Sequence, residues 1–420
     1  MIHGSTIHII AGIAALAAVA AGCSGEKEKT METPQKPAFG TVTVTITDGA
    51  TGRPVHARVY AYGSDDSLYM ADACIPYDRP RFASRTGYSG RHFTTLGEPF
   101  SIDMPEGEAR IVVERGKEYH RAEKRVTVTA GQTVETGIVI DRWIDMNARG
   151  WYSGDLHVHR PLADLADLML AEDLNVASPQ TVWGRKRAPD LDAWLERADD
   201  EGAISVGRNR AFSVLGQEIE RFTNSALLFH HTGKTVLPIA EFDEEGRSNI
   251  DLIRLARDAG GYVEAEKPWW PESHVDIAVG GADFVGIANN HFTYRGYLPE
   301  HPRRRTEFSG DFPEGVQGYA AYVFDLYYAY LNCGFRVMPT AGSASGVLPN
   351  PLGYNRVYVR MGGPFSIGAW FEALKKGRCF VTNGPMLFIT VNNARMGETV
   401  RIDGGRATVS SGVYTARPLD

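Results

Sequence analysis

One short segment places a carboxylate and two imidazoles at alternate positions of the chain. It reads GWYSGDLHVHR over residues 150–160 and contains Asp155, His157 and His159. Alternate residues of a β-strand point to the same face of a sheet, so these three side chains would lie together. Carboxylate oxygens and imidazole nitrogens are donors that zinc and manganese bind in proteins. The spacing therefore predicts a site for a divalent metal ion, zinc or manganese, completed by residues from other segments.

Further polar residues close other apolar runs in the central part of the chain. Glu218 ends FSVLGQE, Glu266 and Lys267 follow GYVEA, and His291 follows FVGIANN. In a parallel α/β barrel, functional groups gather at the carboxyl ends of the strands. We therefore expect these residues to lie near the histidine pair. The expected metal ligands are Asp155, His157, His159, Glu218 and His291.

Four residues are the expected catalytic groups. Glu218 or Glu266 would transfer protons, while Lys267 and Arg356 would hold an anionic substrate. Simpler interpretations remain open at this stage, because acidic residues at strand ends often serve only as ion-pair partners. Glu266 and Lys267 in particular can pair with each other.

Other polar groups are expected to have no direct role. Ser343 and Ser345 lack the G-x-S-x-G surroundings of a nucleophile and are expected in a turn. His230 and His231 follow the apolar run SALLF and are expected at a surface or in a loop. The segment PWWP, residues 268–271, fits either a packed loop or an aromatic wall for a substrate.

Three regions surround these residues and predict a multidomain α/β plus β protein. Residues 39–142 contain runs such as GTVTVTITD, whose period of two predicts a β-sandwich. Residues 145–381 alternate apolar runs with helical segments such as RSNIDLIRLARDAGG and IGAWFEALKKG, a pattern typical of a parallel sheet or barrel. Residues 382–420 begin a β module with too few strands for a sandwich, so we expect truncation or docking onto another region.

The N-terminus predicts export. The run IHIIAGIAALAAVAAGC resembles a bacterial lipoprotein signal over residues 1–23, with Cys23 as the acylated residue. Residues 24–38 are polar and predict a disordered tether. The expected location is therefore the cell envelope, with membrane contact through the lipid anchor alone. A plain secretory signal or an uncleaved anchor remains the alternative.

Charge and cysteine content narrow the function classes. The net charge is −7 and the isoelectric point is near 6.0, so we expect no nucleic-acid partner. Beyond Cys23 the cysteines are Cys74, Cys333 and Cys379, whose spacings do not predict a zinc cluster. A Cys333–Cys379 disulfide is compatible with an oxidising compartment.

Several motifs carry a resemblance to a known family. The segments GWYSGDLHVHR, GQE, AEKPWW, GIANNHF and PTAGSASGVLPNPLGYNRVYV resemble the CehA/McbA family of metallohydrolases, within the polymerase and histidinol phosphatase (PHP) superfamily. The resemblance covers about residues 145–390. By position, His157 and His159 match the first motif, Glu218 the glutamate motif and His291 a later histidine motif. The opening VTVTITDGATGRPVHARVYAY resembles carboxypeptidase regulatory-like domains.

This resemblance implies a distorted seven-stranded (β/α)7 barrel that uses divalent metals to hydrolyse phosphoesters, esters or carbamates. Three positions depart from the family pattern: the DH pair is absent after AEDLNV, Lys267 replaces a histidine before Pro268, and Ser343-Ala344-Ser345 replaces Asp-x-His. The matching residues suffice for one ion rather than three.

Two functions from different classes follow from the sequence. The first is a cell-envelope metal-dependent hydrolase acting on a small-molecule or glycan-linked substrate. The second is a barrel that has lost catalysis and binds a glycan or cell-surface polymer. Metal content and hydrolase activity distinguish them.

Overall fold

The computed structural model describes residues 38–78, 90–221, 225–294, 296–298, 312–402 and 404–416. From Ala38 onward the chain forms one compact unit. The predicted signal over residues 1–23, lipidation at Cys23 and almost all of the tether lie outside the described residues. Within those described, no helix is long and apolar enough to span a membrane.

The N-terminal β region, residues 39–142, folds as two sheets around one apolar core. Its first strand alternates buried and partly buried residues, and Val42, Val44 and Ile46 point inward as the period of two predicts. Ile111 and Val113 from the other sheet pack into the same core. The strands are β1 Phe39–Asp48, β2 Arg58–Tyr62, β3 Leu68–Tyr69, β4 Ile75–Tyr77, β5 His92–Thr94, β6 Phe100–Pro105, β7 Gly107–Glu114, β8 Ala122–Val128 and β9 Thr133–Ile140.

The sheet orders define the two layers of this region. One layer has the order β6-β1-β9, with β1 antiparallel to β6 and parallel to β9. The other has the order β4-β5-β2-β7-β8, with β3 paired to β2. Two sheets sharing one core form the expected sandwich arrangement. Whether the region folds by itself stays a prediction.

The middle of the chain forms one large sheet that nearly closes into a barrel. Its order is β21-β18-β17-β16-β15-β11-β10-β22-β23, with β12, β13 and β14 branching from it. The strands are β10 Trp151–Val158, β11 Val176–Trp183, β12 Lys186–Arg187, β13 Ala203–Ser205, β14 Ala211–Ser213, β15 Gly216–Arg221, β16 Ser225–His230, β17 Tyr262–Ala265, β18 Phe284–Ala288, β19 Phe292–Thr293, β20 Gly296–Tyr297, β21 Met338–Ala341, β22 Arg356–Arg360 and β23 Cys379–Thr382. Strands β19 and β20 form a separate hairpin.

A short contact brings the two ends of the ring together. Val158 at the end of β10 bridges in parallel to Ser345, which follows β21. Within the described ranges, seven strands therefore run around the ring: β10, β11, β15, β16, β17, β18 and β21.

Strand direction differs from the simple β/α alternation that the sequence predicts. The pairs β10–β11, β11–β15, β17–β18 and β18–β21 are parallel, as expected. Strand β16 is antiparallel to both of its neighbours, β15 and β17. Only residues 222–224 separate β15 from β16, and a connection that short permits a hairpin but no crossover helix.

Helices pack against the strands of the ring, and their apolar residues share a core with the strand residues. In α4, Leu252, Ile253 and Ala256 pack with strand residues such as Phe229, and Ser248 caps the helix by accepting from Ile250 N at 3.2 Å. The α-helices of the described residues are α1 Leu165–Ala171, α2 Leu191–Arg197, α3 Ile239–Glu244, α4 Asn249–Asp258, α5 Pro271–Ala278, α6 Gly315–Asn332 and α7 Ile367–Lys375. Short 3-10 helices span Asn147–Arg149 and Leu162–Asp164.

The C-terminal strands form a small sheet rather than a closed sandwich. They are β24 Met386–Val391, β25 Ala394–Arg395 and β26 Val409–Tyr414, with β24 in the centre. Met386 and Phe388 pack against Trp151 of the barrel, which is the docking that the sequence allowed. Leu387 and Val413 on the other face are 38% and 49% exposed.

The cysteine residues form no disulfide within the described residues. Cys74, Cys333 and Cys379 are all free thiols, and Cys379 is buried while Cys333 is exposed. The Cys333–Cys379 pairing that the sequence allowed is therefore not made.

Candidate metal centre

The two histidines of the first motif converge through one nitrogen each. His157 lies on β10 and His159 directly follows it, so their side chains share the inner face. Their Nε2 atoms are 2.9 Å apart. The close packing of the strand depends on Gly154, because a Cβ there would lie 2.5 Å from the Trp370 ring. The histidine pair is confirmed as a unit.

Glu218 on β15 supplies the third donor. Its Oε2 lies 3.6 Å from His157 Nε2 and 3.4 Å from His159 Nε2. A tetrahedral zinc site with bonds of about 2.0–2.1 Å has ligand atoms separated by about 3.4 Å. The two distances from Glu218 lie close to this value, while the two Nε2 atoms, at 2.9 Å, are closer together. A zinc ion held by these three donors would have a fourth corner for a water or a substrate. His157, His159 and Glu218 form a group that could hold a metal ion.

The surroundings of Glu218 also fit a cation. The residue is 3% exposed, and its Oε2 has no hydrogen-bond partner among the described residues. A buried carboxylate oxygen without a donor is costly, and a bound ion would satisfy it. Burial opposes ionisation of Glu218, but the attraction of His157, His159 and Lys267 outweighs it and lowers the pKa of the carboxyl.

Glu266 orients the imidazole ring of His157 through a hydrogen bond to Nδ1. Its Oε1 lies 3.1 Å from His157 Nδ1, so the ring donates to this carboxylate and turns Nε2 toward the group. Lys267 forms an ion pair with Oε2 of the same carboxylate. Both residues are buried, so the Lys267 side chain does not extend into solvent. The pairing alternative for Glu266 and Lys267 is thus confirmed, inside the site.

Asp155, a predicted metal ligand, lies outside the three-residue group. Its two oxygens accept from Ser343 N at 3.0 Å, Ser343 Oγ at 2.5 Å, Gly353 N at 2.7 Å and His157 N at 3.2 Å. These four donors occupy the carboxylate, which is fully buried. Burial raises the pKa of Asp155 although the hydrogen bonds oppose this. Asp155 therefore organises the chain around the centre.

His291 lies outside the three-residue group. Its Nδ1 donates to Leu298 O at 2.8 Å, and its ring packs edge-on against Trp269 at 5.2 Å. The residue is 7% exposed. In this arrangement it does not share the group of ligand atoms that lie within 4.8 Å of one another. The structure thus keeps His291 buried but does not place it among the ligands.

Arg356 also has a different role from the predicted one. Its Nε donates to Gly353 O at 2.8 Å and one terminal nitrogen donates to Glu172 O at 3.2 Å. The side chain is fully buried and holds the backbone of the segment that binds Asp155. A guanidinium committed to two carbonyl groups supports the structure of the site, so the prediction that Arg356 contacts an anionic substrate has no geometric support.

The sequence pattern did not predict a second polar cluster, which surrounds His230. His230 is fully buried, with Nδ1 3.0 Å from Ser178 Oγ and Nε2 3.1 Å from Glu264 Oε2. The expectation of a surface or loop position for His230 is wrong. All six residues of β16 are buried, and the uninterrupted run SALLFH was the available signal.

The aromatic segment after Lys267 is packed and close to the candidate residues. Trp269 and Trp270 are 3% and 4% exposed, and Trp270 lies beneath the Lys267 amine at 5.9 Å. Trp183 stands against His159, with ring centroids 4.7 Å apart. The segment therefore forms part of the packed surroundings of the centre.

Comparison with known proteins does not assign this chain to a family. No family model matches this chain, and no curated protein matches it. Among solved structures, PsfC from Pseudomonas syringae is 13% identical, with a TM-score of 0.33 over 53% of this chain and 88% of that chain. The lesion-specific endonuclease PfuEndoQ from Pyrococcus furiosus is 16% identical, with a TM-score of 0.32 over 54% and 56%.

A third similar structure is the minor pilin GBS52 from Streptococcus agalactiae. It is 15% identical, with a TM-score of 0.19 over 26% of this chain and 47% of that chain. This chain spans less than two thirds of the pilin and of the endonuclease. Similarities of this size carry no argument about function.

Proposed function

We propose that this protein is a metal-dependent hydrolase of the PHP type. The observation that carries the proposal is the buried triangle of His157 Nε2, His159 Nε2 and Glu218 Oε2, with separations of 2.9, 3.4 and 3.6 Å. Two imidazoles and one carboxylate, with a water or substrate in the fourth position, form one of the known ligand sets of catalytic zinc sites. The seven-strand ring supports the PHP assignment, because the ligands come from β10 and β15, the two strands that flank β11 in that ring.

A bound divalent ion would supply a water of lowered pKa and a Lewis acid for the scissile group. The side chains then have distinct tasks. Glu266 holds His157 in the tautomer that presents Nε2. Because Glu266 is engaged by both His157 and Lys267, we assign Glu218 the second task of proton acceptor.

Lys267 is assigned to stabilise negative charge that develops on the substrate. Its amine is buried, and its charge reaches Glu218, whose pKa it helps to lower. A cation already ordered in a water-poor pocket is more effective than one in solvent. Ser343 is not assigned a role as nucleophile, because its hydroxyl is committed to Asp155.

The test is the metal content and activity of the full-length protein. We expect about one ion per chain after loading with Zn²⁺ or Mn²⁺, and loss of that ion in a His157→Ala, His159→Ala double variant. His120→Ala is the control, because His120 is exposed on the N-terminal β region. A panel of phosphoesters, esters and carbamates should reveal a bond that the wild type cleaves and the double variant does not. Full metal stoichiometry in the double variant would refute the proposal.

A binding role without catalysis is the second candidate. The ion pair between Glu266 and Lys267 favours it, since the pair neutralises a carboxylate beside the centre without help from a second ion. The same experiment separates the two candidates, because a binding protein would take up the ion and leave every compound of the panel intact.

We also propose a cell-envelope location with a lipid anchor at Cys23. The support is the sequence of residues 1–23 alone. Metabolic labelling with a radioactive fatty acid should mark the wild type and leave a Cys23→Ser variant unlabelled. Labelling of that variant would place the lipid elsewhere.

A further inference from the structure

One loop joins the metal-binding strand to the N-terminal β region. This bridging loop comprises residues 343–353. On the barrel side, His159 N donates to Ser345 O at 2.7 Å and Ala344 N donates to His157 O at 2.6 Å. The backbones of both candidate histidine ligands are therefore paired with the loop, and a displacement of the loop would move the Nε2 atoms.

The loop approaches the histidines too closely for a side chain. A Cβ on Gly346 would lie 2.4 Å from His159 O, and the residue has a φ of +107° that favours glycine. Asp155 holds the two ends of the loop, since it accepts from Ser343 N and Gly353 N. The loop thus has little freedom on the barrel side.

The N-terminal β region holds the opposite side of the same loop. The Tyr77 hydroxyl donates to Leu348 O and accepts from Gly346 N at 3.1 Å. Tyr77 is 5% exposed, and its ring packs edge-on against His92 with centroids 4.9 Å apart. The phenol therefore uses both its donor and its acceptor on one turn of the loop.

A second contact from the β region lies beside the first. Gly90 has a φ of +64°, and a Cβ there would lie 2.5 Å from Pro349 O. Any side chain at Gly90 would push against the bridging loop. The two contacts are separate in sequence and act on neighbouring residues, Leu348 and Pro349.

We propose that Tyr77 is a positioning residue for the metal centre, so that the N-terminal β region is a working part of the site. The chain of contacts runs from the Tyr77 hydroxyl to Gly346 and Leu348, and through the loop backbone to His157 and His159. This inference rests on the proposed function. It gives the β region a task that attachment alone would not require.

The test is a Tyr77→Phe variant of the full-length protein, which keeps the ring and removes the hydroxyl. We expect zinc affinity, measured by competition with a chromophoric chelator, to fall about fivefold, the equivalent of one net hydrogen bond. The visible spectrum of the Co²⁺-loaded variant should also shift, because ligand geometry sets it. Tyr69→Phe is the matched control, since the Tyr69 hydroxyl donates to Asp65 at 3.0 Å within the β region.

Gly90→Ala provides a second perturbation of the same loop and should change the Co²⁺ spectrum as well. A purely structural role of Tyr77 would lower the melting temperature and leave affinity and spectrum unchanged. If wild type binds the ion and both variants match it in affinity and spectrum, the inference is overturned while the proposed function stands. A wild type that binds no ion would overturn the proposed function itself.

Discussion

Glu266→Gln tests whether the carboxylate that is hydrogen-bonded to His157 Nδ1 increases the affinity of the centre for metal. Glutamine is isosteric and can still accept from His157 Nδ1, now 3.1 Å from a carboxylate oxygen, but as a neutral and weaker partner. Changes in groups that orient a metal ligand weaken metal affinity by about 10–100-fold. Because the hydrogen bond is weakened rather than removed, we expect about tenfold, or about 1.4 kcal/mol.

The same substitution removes the carboxylate that pairs with Lys267. Lys267 is 4% exposed, and removal of one partner of a buried ion pair destabilises a protein by about 3–5 kcal/mol. The Glu266→Gln, Lys267→Met double variant should recover much of this stability and keep the weakened metal affinity. The two effects of Glu266 are thereby separated.

The assays are chelator competition for the metal and urea unfolding of the metal-free protein. Glu372→Gln is the control, because Glu372 pairs with Lys376 at 3.2 Å on the surface, where such a pair contributes about 0–1 kcal/mol. Unchanged metal affinity in Glu266→Gln would refute the assigned orientation of His157. Recovery of affinity in the double variant would show that the loss arose from instability.

Two further predictions concern buried carboxylates. Asp155→Asn should lower the free energy of unfolding by about 3 kcal/mol in urea, because an amide NH₂ would face donors that now reach the carboxylate; a loss below about 1 kcal/mol would contradict this. Asp276, held by Ser225 and Asn249, has a pKa raised by burial to about 6 from 3.8. The folded carboxyl keeps its proton longer than the unfolded one, so its contribution is complete below about pH 4 and lost as pH rises through about 6. Relative to Asp276→Asn, the wild type should lose about 2–3 kcal/mol between these limits, and parallel pH profiles of unfolding would contradict this.

Local spacing was sufficient for the parts of the site that lie on one strand. His157 and His159 share a face because strand periodicity requires it, and Glu218 joins them because β15 is parallel to its neighbour β11. The sandwich core of the β region follows from the same period of two. The histidine pair and the sandwich core need no knowledge of distant contacts, whereas Glu218 joins the pair through the long-range pairing of β15 with β11.

The sequence pattern does not predict contacts between residues that are far apart in the sequence. The oxygens of Asp155 accept hydrogen bonds from Ser343 and Gly353, which lie nearly two hundred positions later in the sequence. Arg356 donates to the carbonyl group of Glu172, which lies 184 positions earlier, and no local pattern encodes that contact. Tyr77 lies in a different region from the centre, so only the folded chain brings it to the bridging loop.

The direction of a strand is harder to predict from the sequence than its position. The pattern of apolar runs predicts a strand at SALLFH but does not encode its direction. The direction of β16 is set by the three-residue connection from β15, which was too short for a helix. The length of the connection between β15 and β16 is therefore the feature of the sequence that indicates an antiparallel pair.

The proposed metal centre can be tested by a crystal structure of the metal-loaded protein, with anomalous scattering at the absorption edge of zinc. We expect one anomalous peak at about 2.0–2.2 Å from His157 Nε2, His159 Nε2 and Glu218 Oε2, with no bond to Asp155. A peak coordinated by Asp155, a peak at another site, or none at full zinc saturation would contradict it.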